Sequence, residues 1–345
     1  MKKLLLALSV VVLLSAATIA TTLWLWTGTP HGRLTVPAAV ISKLSAWQES
    51  PFSRLTLQEQ RVAFRESMQK LTGDTIPLAD VRNLRIAGPG GPLPLRVYTP
   101  ERTDRALPVI VYLHGGAWVW GDLETHDNLC RTLAQKTGAI VVAVDYRLAP
   151  EHRYPAAVDD AYATLSWVAG NASSFGADPT RIAVAGDSAG GNLAAAATLM
   201  VRERRGPPLS AQVLIYPMVD ESALERDSLK DFATGLFLTA ETIAWSQAQY
   251  LPDIAQRRER FASPLLADDH HGLPPALIIT AQFDPLRDEG EAYGRALSQA
   301  GVPVEMKRFD GVMHGFVPMD RWFPESATAT DLIAGWLRER LSAAN

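Results

Sequence analysis

The sequence has few of the features that identify several common classes of protein. Its one cysteine, Cys130, has no partner for an internal disulfide and gives no basis for a cysteine-based metal site. No long run of basic residues occurs, and 33 Lys and Arg nearly balance 37 Asp and Glu. We therefore expect no nucleic-acid partner. What the chain does have is 345 residues, 47% of them hydrophobic, which is enough for a sizeable packed core.

Charge is also absent from residues 4–26, which follow Lys2 and Lys3. A basic start, an apolar run and small residues at positions 15–17 are typical of a cleavable signal peptide. The same stretch is long enough to cross a bilayer, and two tryptophans lie near its end. Residues 1–26 are therefore predicted to be either a signal peptide or a membrane anchor. Both interpretations predict export, with the remainder periplasmic, secreted or held at the membrane through residues 4–26.

The rest of the chain divides into two regions of different character. Residues 27–80 begin with a turn-rich linker, and apolar residues at helical spacing from Pro37 to Leu78 predict N-terminal cap helices. From Val81 to residue 345, β-branched runs alternate with amphipathic stretches, which predicts an α/β fold with a mostly parallel sheet flanked by helices. The runs that predict strands are Pro108–Leu113, Ala139–Asp145, Arg181–Ala185, Ala211–Tyr216, Ala276–Ala281 and Pro303–Phe309.

One interval, from Tyr216 to Pro275, interrupts this alternation. It has no strand pattern, and Glu221–Lys230 and Thr239–Tyr250 resemble polar helices. We interpret residues 218–262 as an inserted cap that closes over the sheet together with the N-terminal helices. A crossover helix with a long loop is the alternative, although long loops without structure are uncommon in compact domains.

A nucleophile is predicted where the strand Arg181–Ala185 meets a helix-like run. The residues between them read Gly-Asp-Ser-Ala-Gly-Gly, with the serine at position 188. A serine on a tight strand-to-helix turn needs small neighbours two residues away on each side, as Gly186 and Gly190 provide. This context predicts that Ser188 is a nucleophile. The amide of Ala189, at the start of the helix, is predicted to stabilise negative charge that develops in acyl transfer.

The remaining oxyanion donors are predicted after the strand Pro108–Leu113, which runs into His114-Gly-Gly-Ala. Gly115 and Gly116 have no Cβ, so their amides are expected to approach a substrate oxygen closely. A simple glycine turn would explain the residue types but not their position at a strand end.

The base and its acid should follow the nucleophile in the order acid, then histidine. Of the seven histidines, only His314 lies beyond the strands that can carry the acid. Asp284 closes the strand Ala276–Ala281 and is the predicted acid. Asp288 and Glu289 remain alternatives, although both look like first-turn residues of the following helix.

Other residues near these motifs have weaker signals. Trp118, Met218, Phe316 and Val317 flank the motifs and are predicted either to line an apolar substrate pocket or to belong to the core. The run Asp268-Asp-His-His271 superficially resembles a metal site, but its proline and glycine neighbours indicate a solvated turn. We therefore expect no metal and no cofactor.

Taken together, these motifs resemble the hormone-sensitive-lipase-like branch of the α/β-hydrolases, also known as bacterial esterase family IV. The resemblance extends from Val81 to Val317. It depends on six ordered motifs, which lie at residues 114–117, 145–151, 154–160, 186–192, 284–290 and 314–316.

The resemblance implies a capped α/β-hydrolase fold, a triad at Ser188, Asp284 and His314, and oxyanion amides at Gly115, Gly116 and Ala189. It also implies a serine carboxylesterase for short- to medium-chain acyl esters that needs no cofactor. One departure is Ala117, where the family often has a third glycine. Two alternatives remain: a non-catalytic relative that binds a small ligand, and an acyltransferase or amide hydrolase with the same triad.

Overall fold

The computed structural model describes residues 2–47, 55–222 and 225–342. Its helices are α1 (Lys2–Thr27), α2 (Val36–Trp47), α3 (Leu57–Leu71), α4 (Asp127–Thr137), α5 (Ala156–Asn171), α6 (Ala189–Glu203), α7 (Asp227–Asp231), α8 (Ala240–Tyr250), α9 (Arg287–Gln299) and α10 (Pro324–Arg340). Its strands are β1 (Gly28–Thr29), β2 (Gly32–Arg33), β3 (Asp80–Gly88), β4 (Gly91–Thr99), β5 (Leu107–Leu113), β6 (Ile140–Val144), β7 (Ala177–Asp187), β8 (Ala211–Ile215), β9 (Ala276–Phe283) and β10 (Val304–Met313). Short 3₁₀ helices span Ala172–Phe175, Ile254–Arg258 and Pro264–Leu266.

The centre of the molecule is an eight-stranded sheet with the strand order β10-β9-β8-β7-β5-β6-β4-β3. The strands from β10 to β6 are parallel, whereas β4 and β3 are antiparallel to their neighbours. Every residue of β6 and β8 is buried, as expected for strands that are covered on both faces. The predicted fold class is therefore confirmed, and each of the six predicted strands is present.

Strands β3 and β4 were missing from the sequence-based prediction. They form an antiparallel hairpin at one edge of the sheet, joined where Gly91 adopts a φ of +119°. Strand β3 is largely exposed, and β4 contains Pro92 and Pro94. Strand β3 is an edge strand, which tolerates charge because one side of its backbone has no partner strand, and it lacks a buried apolar run. Strand β4 pairs with both β3 and β6, but its prolines precede the residues that pair with β6 and interrupt the apolar run that identified the other strands.

Helices cover the sheet on both faces. Side chains of α5, α6 and α9 pack on one face, including Leu165, Leu193 and Leu297. Side chains of α4 and α10 pack on the other, including Leu133 and Ile333. Helix α6 is buried from Ala189 to Val201, and its run of four alanines allows it to lie close to the sheet. The strand ends that precede and follow α6 are therefore held rigidly.

Helix α3, from the predicted N-terminal cap region, contacts the loop after β5. Thr56 and Glu59 form a capping box that starts the helix. Arg61 then donates from Nε to the carbonyl oxygen of Val119 at 2.9 Å and from Nη2 to that of Ala149 at 2.9 Å. These bonds fix α3 over the carboxyl ends of β5 and β6. The predicted helical region Pro37–Leu78 also includes residues 48–54, which lie outside the described residues.

The interval from Tyr216 to Pro275 contains helical segments and no strand among its described residues. Thr239 caps α8 by accepting a hydrogen bond from the amide of Thr242, and α8 matches the predicted helix Thr239–Tyr250. The other predicted helix, Glu221–Lys230, is wrong in extent. Among the described residues of that range, α7 is the helical part. Residues 221 and 222 form a turn, and residues 223 and 224 lie outside the described part.

A buried glutamate holds separate parts of this interval together. The carboxylate of Glu221 accepts a hydrogen bond from Nε2 of Gln247 in α8 at 2.9 Å, and its amide donates to Oγ of Ser263 at 2.7 Å. Glu221 is fully buried, and burial raises its pKa to about 8, although the bond from Gln247 opposes the shift. The folded chain therefore retains a proton that the unfolded chain releases near pH 4.5.

This proton makes the stability of the fold dependent on pH. Because the pKa of Glu221 is higher in the folded chain, its contribution is greatest below about pH 4.5 and is lost as the pH rises through about 8. We expect Glu221→Gln to raise the melting temperature at pH 8.5 by at least about 2 °C and to change it little at pH 4.5. The control is Glu305→Gln, at an exposed glutamate on β10. Equal effects of Glu221→Gln at both pH values would contradict the prediction.

Candidate active site

Ser188 lies on the turn between β7 and α6 with a φ of +56° and a ψ of −121°, a conformation that is strained for a residue with a side chain. Glycines make the turn sterically feasible. A Cβ on Gly186 would lie 2.2 Å from the carbonyl oxygen of Gly190, and one on Gly190 would lie 2.0 Å from that of Leu113. The amide of Ser188 donates to the carbonyl of Ile215 at 2.9 Å. The side chain is thus presented at the carboxyl ends of the parallel strands.

His314 connects Ser188 to Asp284. Its Nε2 atom lies 2.9 Å from Oγ of Ser188, and its Nδ1 atom lies 2.8 Å from Oδ2 of Asp284. The other oxygen of Asp284 accepts the amide of Leu286 at 2.8 Å. Asp284 is 0% exposed and His314 5% exposed, so both bonds are shielded from bulk water. The structure therefore brings together the three residues that were predicted from widely separated motifs.

The two alternative acids form hydrogen bonds with other groups. Asp288 accepts hydrogen bonds from the amide of Ser228 at 2.8 Å and from Nε of Arg287 at 2.8 Å. Glu289 is buried and accepts the amide of Val219 at 2.7 Å. Both therefore tie α9 to the segment that follows β8, and Asp284 is the carboxylate that contacts His314.

The loop after β5 differs from its prediction at Gly115. The amide of Gly115 donates to Oδ1 of Asp187 at 2.9 Å and is not free for a substrate, so its predicted role as an oxyanion donor is wrong. Glycine is needed here because a Cβ would lie 2.4 Å from Oδ2 of Asp187. The amides of Gly116, Ala117 and Ala189 have no acceptor among the described residues. The loop amides that are free to donate are therefore those of Gly116 and Ala117, whereas the prediction had Gly115 and Gly116.

The same loop holds three consecutive residues at positive φ: Gly116 at +131°, Ala117 at +52° and Trp118 at +60°. A side chain disfavours this region by roughly 1–2 kcal/mol per residue, so the surrounding structure must enforce the conformation. The carbonyl of Gly116 accepts the amides of Val119 at 3.0 Å and Trp120 at 2.8 Å, which closes the turn. The turn leaves the amides at its start without internal partners.

Asp187 is the centre of a buried network that the sequence analysis did not assign. Its Oδ1 atom accepts from the hydroxyl of Tyr112 at 2.7 Å as well as from Gly115, and its Oδ2 atom lies 3.2 Å from Nε2 of His126. Burial by itself would raise the pKa of Asp187, but the charge of His126 and the bonds from His126 and Tyr112 hold it below its usual value. The carboxylate thus remains charged beneath the turn.

The four predicted pocket residues have different positions. Phe316 and Val317 are fully buried, and the ring of Phe316 contacts those of Phe309 and Phe323, so these two belong to the core, as one of the two predictions had it. Trp118 is also fully buried and stacks on Tyr250 of α8 at 4.6 Å. The amide of Met218 lies 3.4 Å from the carbonyl oxygen of Ser188. Met218 is therefore the member of this set whose backbone contacts Ser188.

The acidic and histidine-rich run at residues 268–271 is a local turn. Oδ1 of Asp269 accepts from the amide of His271 at 2.8 Å, and Nε2 of His270 lies 2.9 Å from the carbonyl oxygen of Pro264. Across residues 2–47, 55–222 and 225–342, no group of three or more His, Cys, Asp or Glu side chains is arranged to hold a metal ion.

Comparison with known proteins gives the family to which the chain is similar. Residues 110–318 match the profile of a family described as the alpha/beta hydrolase fold. The carboxylic ester hydrolase LipN of Mycobacterium tuberculosis is 43% identical over 288 residues, which cover 82% of this chain and 76% of LipN. An ethyl acetate hydrolase of Pseudomonas putida is 38% identical over 86% of this chain and 94% of its own length. An esterase structure from Pyrobaculum calidifontis superposes with a TM-score of 0.83 at 41% identity, covering 90% of this chain and all of that one.

The network beneath the turn generates a prediction. Asp187→Asn keeps an oxygen for Tyr112 and Gly115 but removes the charge that faces His126. We expect kcat for p-nitrophenyl butyrate to fall at least tenfold, because a displaced amide stabilises the oxyanion less, while KM changes little.

The matched control is Asp160→Asn. Asp160 is an equally buried carboxylate that pairs with Arg147 at 2.9 Å. Both variants should lose stability, on the order of 1–3 kcal/mol, in urea unfolding. Only Asp187→Asn should lose kcat per folded molecule, and an equal loss in the control would contradict a positioning role for Asp187.

Proposed function

This chain belongs to the α/β-hydrolase fold family, in its hormone-sensitive-lipase-like branch, and is a carboxylic ester hydrolase. We propose that it hydrolyses short- to medium-chain acyl esters through an acyl-enzyme, with Ser188 as nucleophile, His314 as general base and Asp284 as the acid that orients it. The continuous hydrogen-bonded series from Asp284 through His314 to Ser188 is the observation that carries the proposal.

In the first half-reaction, Oγ of Ser188 attacks the ester carbonyl carbon while Nε2 of His314 accepts its proton. The carbonyl π electrons move to the oxygen and form a tetrahedral oxyanion. The imidazolium then donates the proton to the departing alkoxide, so the C–O bond breaks and a neutral alcohol leaves. Ser188 remains esterified with the acyl group.

In the second half-reaction, a water molecule takes the place of the alcohol. His314 accepts a proton from the water, and the hydroxide oxygen attacks the acyl carbon. The tetrahedral intermediate collapses with return of the proton to Oγ of Ser188, and the carboxylic acid is released. Each cycle therefore consumes one water and restores the hydroxyl and the neutral imidazole.

The imidazolium and the oxyanion that form in these steps each lie beside groups that stabilise their charge. Asp284 stabilises the imidazolium through Nδ1 of His314 and is itself oriented by the amide of Leu286. The amides of Gly116, Ala117 and Ala189 receive the oxyanion, and Ala189 adds the positive end of the α6 dipole. Loss of one such donor typically reduces kcat about 100-fold or more.

Short and medium acyl chains are proposed because the site is covered. Helix α3 lies on the loop after β5, and Trp118 of that loop stacks on Tyr250 of α8. The relative from Pseudomonas putida is named for ethyl acetate, an ester of a two-carbon acid, which supports the same size class. His314 has a hydrogen-bond partner at each ring nitrogen. This arrangement favours an enzyme over a relative that only binds a ligand.

The central prediction concerns the triad. Ser188→Ala should reduce kcat/KM for p-nitrophenyl esters by at least about 10⁴-fold, because no nucleophile remains to form the acyl-enzyme. Asp284→Asn should reduce it about 10³- to 10⁴-fold, because the imidazole loses its orienting charge. The measurement is initial hydrolysis rate along a series from acetate to palmitate, with activity expected to be highest at short and medium chains.

Asp288→Asn is the matched control, since Asp288 lies four residues from Asp284 and does not contact His314. It should retain kcat/KM within about fivefold of the unmodified protein. A loss at Asp288 as large as that at Asp284 would overturn the assignment of the acid. Full activity of Ser188→Ala would overturn the mechanism.

A further inference from the structure

Helix α1 has almost no contact with the rest of the protein along most of its length. Residues Leu8–Thr27 have a mean hydropathy of 2.0, and none of the most apolar window is buried. Leu13, Leu14 and Leu25 are each more than 60% exposed. An apolar helix of this length matches the hydrocarbon thickness of a bilayer. Its surface therefore needs a nonpolar environment that this chain does not itself supply.

The C-terminal end of α1 is, by contrast, bonded to the hairpin β1–β2 that follows it. Nη1 of Arg33 donates to Oγ1 of Thr27 at 2.8 Å and to the carbonyl oxygen of Trp24 at 3.2 Å. The guanidinium of Arg33 also lies 4.1 Å from the centre of the Trp24 ring. The amide of Leu34 donates to the carbonyl oxygen of Thr27 at 2.8 Å, and Thr27 is 6% exposed. We call the contacts among residues 24–34 the junction.

The junction favours retention of α1 over its removal. Cleavage behind the small residues at positions 15–17 would cut within the helix and leave residues 18–27 on the mature protein. That remnant would still be held by Arg33, with Ile19, Trp24 and Leu25 about 60% exposed to water. A released protein would then carry an exposed apolar helix at its surface, which is unfavourable.

The junction also lies next to the proposed active site. Its hairpin, β1–β2, contacts the end of β9, where Nε2 of Gln282 donates to the carbonyl oxygen of His31 at 3.1 Å. Oε1 of Gln282 accepts the amide of Gly311, and the carbonyl of Gly311 accepts the amide of Thr35, each at 2.8 Å. Gln282 precedes Asp284 by two residues, or about 7 Å along an extended chain. Gly311 precedes His314 by three residues.

Helix α2 and the inserted cap lie on the same side. Ala38, Ala39 and Ile41 of α2 are buried, whereas Val36 and Leu44 are 45% and 49% exposed. The hydroxyl of Ser42 donates to the carbonyl of Gly235 in the inserted interval. The anchored end of α1, the outer apolar residues of α2 and the inserted interval therefore share one region of the surface.

We infer that α1 is a retained membrane anchor. The junction then holds the carboxyl ends of the parallel strands, where Ser188 lies, against the lipid bilayer. Esters dissolved in the bilayer then reach Ser188 from the membrane side. Lys2 and Lys3 place the catalytic domain on the side opposite the cytoplasm, because basic residues flank the cytoplasmic end of such helices. Trp24 and Arg33 lie where aromatic and basic side chains meet the lipid headgroups. The substrate class rests on the proposed esterase function, whereas anchoring does not.

Retention is tested by fractionating cells that express the full chain. The protein should sediment with membranes at its full 345-residue size and should resist extraction by alkaline carbonate, which releases peripheral proteins. A shortened protein in the soluble fraction would overturn the inference. So would a full-length protein that carbonate extracts.

The orientation is tested by uncoupling the domain from its anchor. One variant combines Arg33→Ala with a Gly/Ser linker of about twelve residues between Thr27 and Gly28, which gives the domain a reach of roughly 19 Å. The control retains Arg33 and carries the same linker between Arg102 and Thr103, in the exposed loop after β4. Both proteins are reconstituted, full length, in phosphatidylcholine vesicles.

Two butyrate esters are then compared: p-nitrophenyl butyrate in water, and the butyrate of a fluorogenic phenol with a hexadecyl tail, dissolved in the bilayer. The uncoupled variant should hydrolyse the bilayer ester at least about fivefold more slowly than the control, with aqueous rates within about twofold. Equal rates on the bilayer ester, or equal losses on both esters, would overturn the inference. Absence of hydrolysis in water by the unmodified protein would instead contradict the proposed function.

Discussion

Close backbone contact between the carboxyl ends of β5 and β7 is the constraint on which the rest of the structure depends. A Cβ on Gly190 would lie 2.0 Å from the carbonyl oxygen of Leu113, so α6 begins directly against the last residue of β5. The side chain of Asp187, which ends β7, accepts the amide of Gly115 just beyond β5. The end of β7 thus both leads into Ser188 and fixes the loop that holds the free amides of Gly116 and Ala117. The covering helices keep both ends in place.

Two buried carboxylates support the groups around Ser188. Asp284 contacts His314, whereas Asp187 contacts His126 and the turn after β5. Each pairs with a histidine and also accepts a backbone amide, so neither charge is buried without partners. The site therefore rests on two similar units with different tasks: one belongs to the reacting groups, and the other sets the geometry of the loop that surrounds them.

Much of this site could be predicted because its residues occupy strand ends. Ser188 and Asp284 each follow a buried apolar run, and His314 follows the edge strand β10. Parallel strands bring such carboxyl ends together on one side of the sheet. The direction in which a backbone amide points is harder to predict from the sequence, since it depends on φ and ψ rather than on residue type. The absence of a Cβ indicated close approach at Gly115, but the group that approaches is Asp187. The antiparallel strands β3 and β4 were missed because β3 is a largely exposed edge strand and two prolines interrupt the apolar pattern of β4.

The stack of Trp118 on Tyr250 has a consequence for the backbone beside Ser188. Trp118 is the third residue of the positive-φ turn, and Tyr250 ends helix α8 of the covering interval. Because this ring pair joins the two, a displacement of α8 would be transmitted directly to the turn that holds the free amides of Gly116 and Ala117. The covering interval and the turn are therefore packed as one unit, and a substitution at Tyr250 would act on the backbone beside Ser188 without touching it.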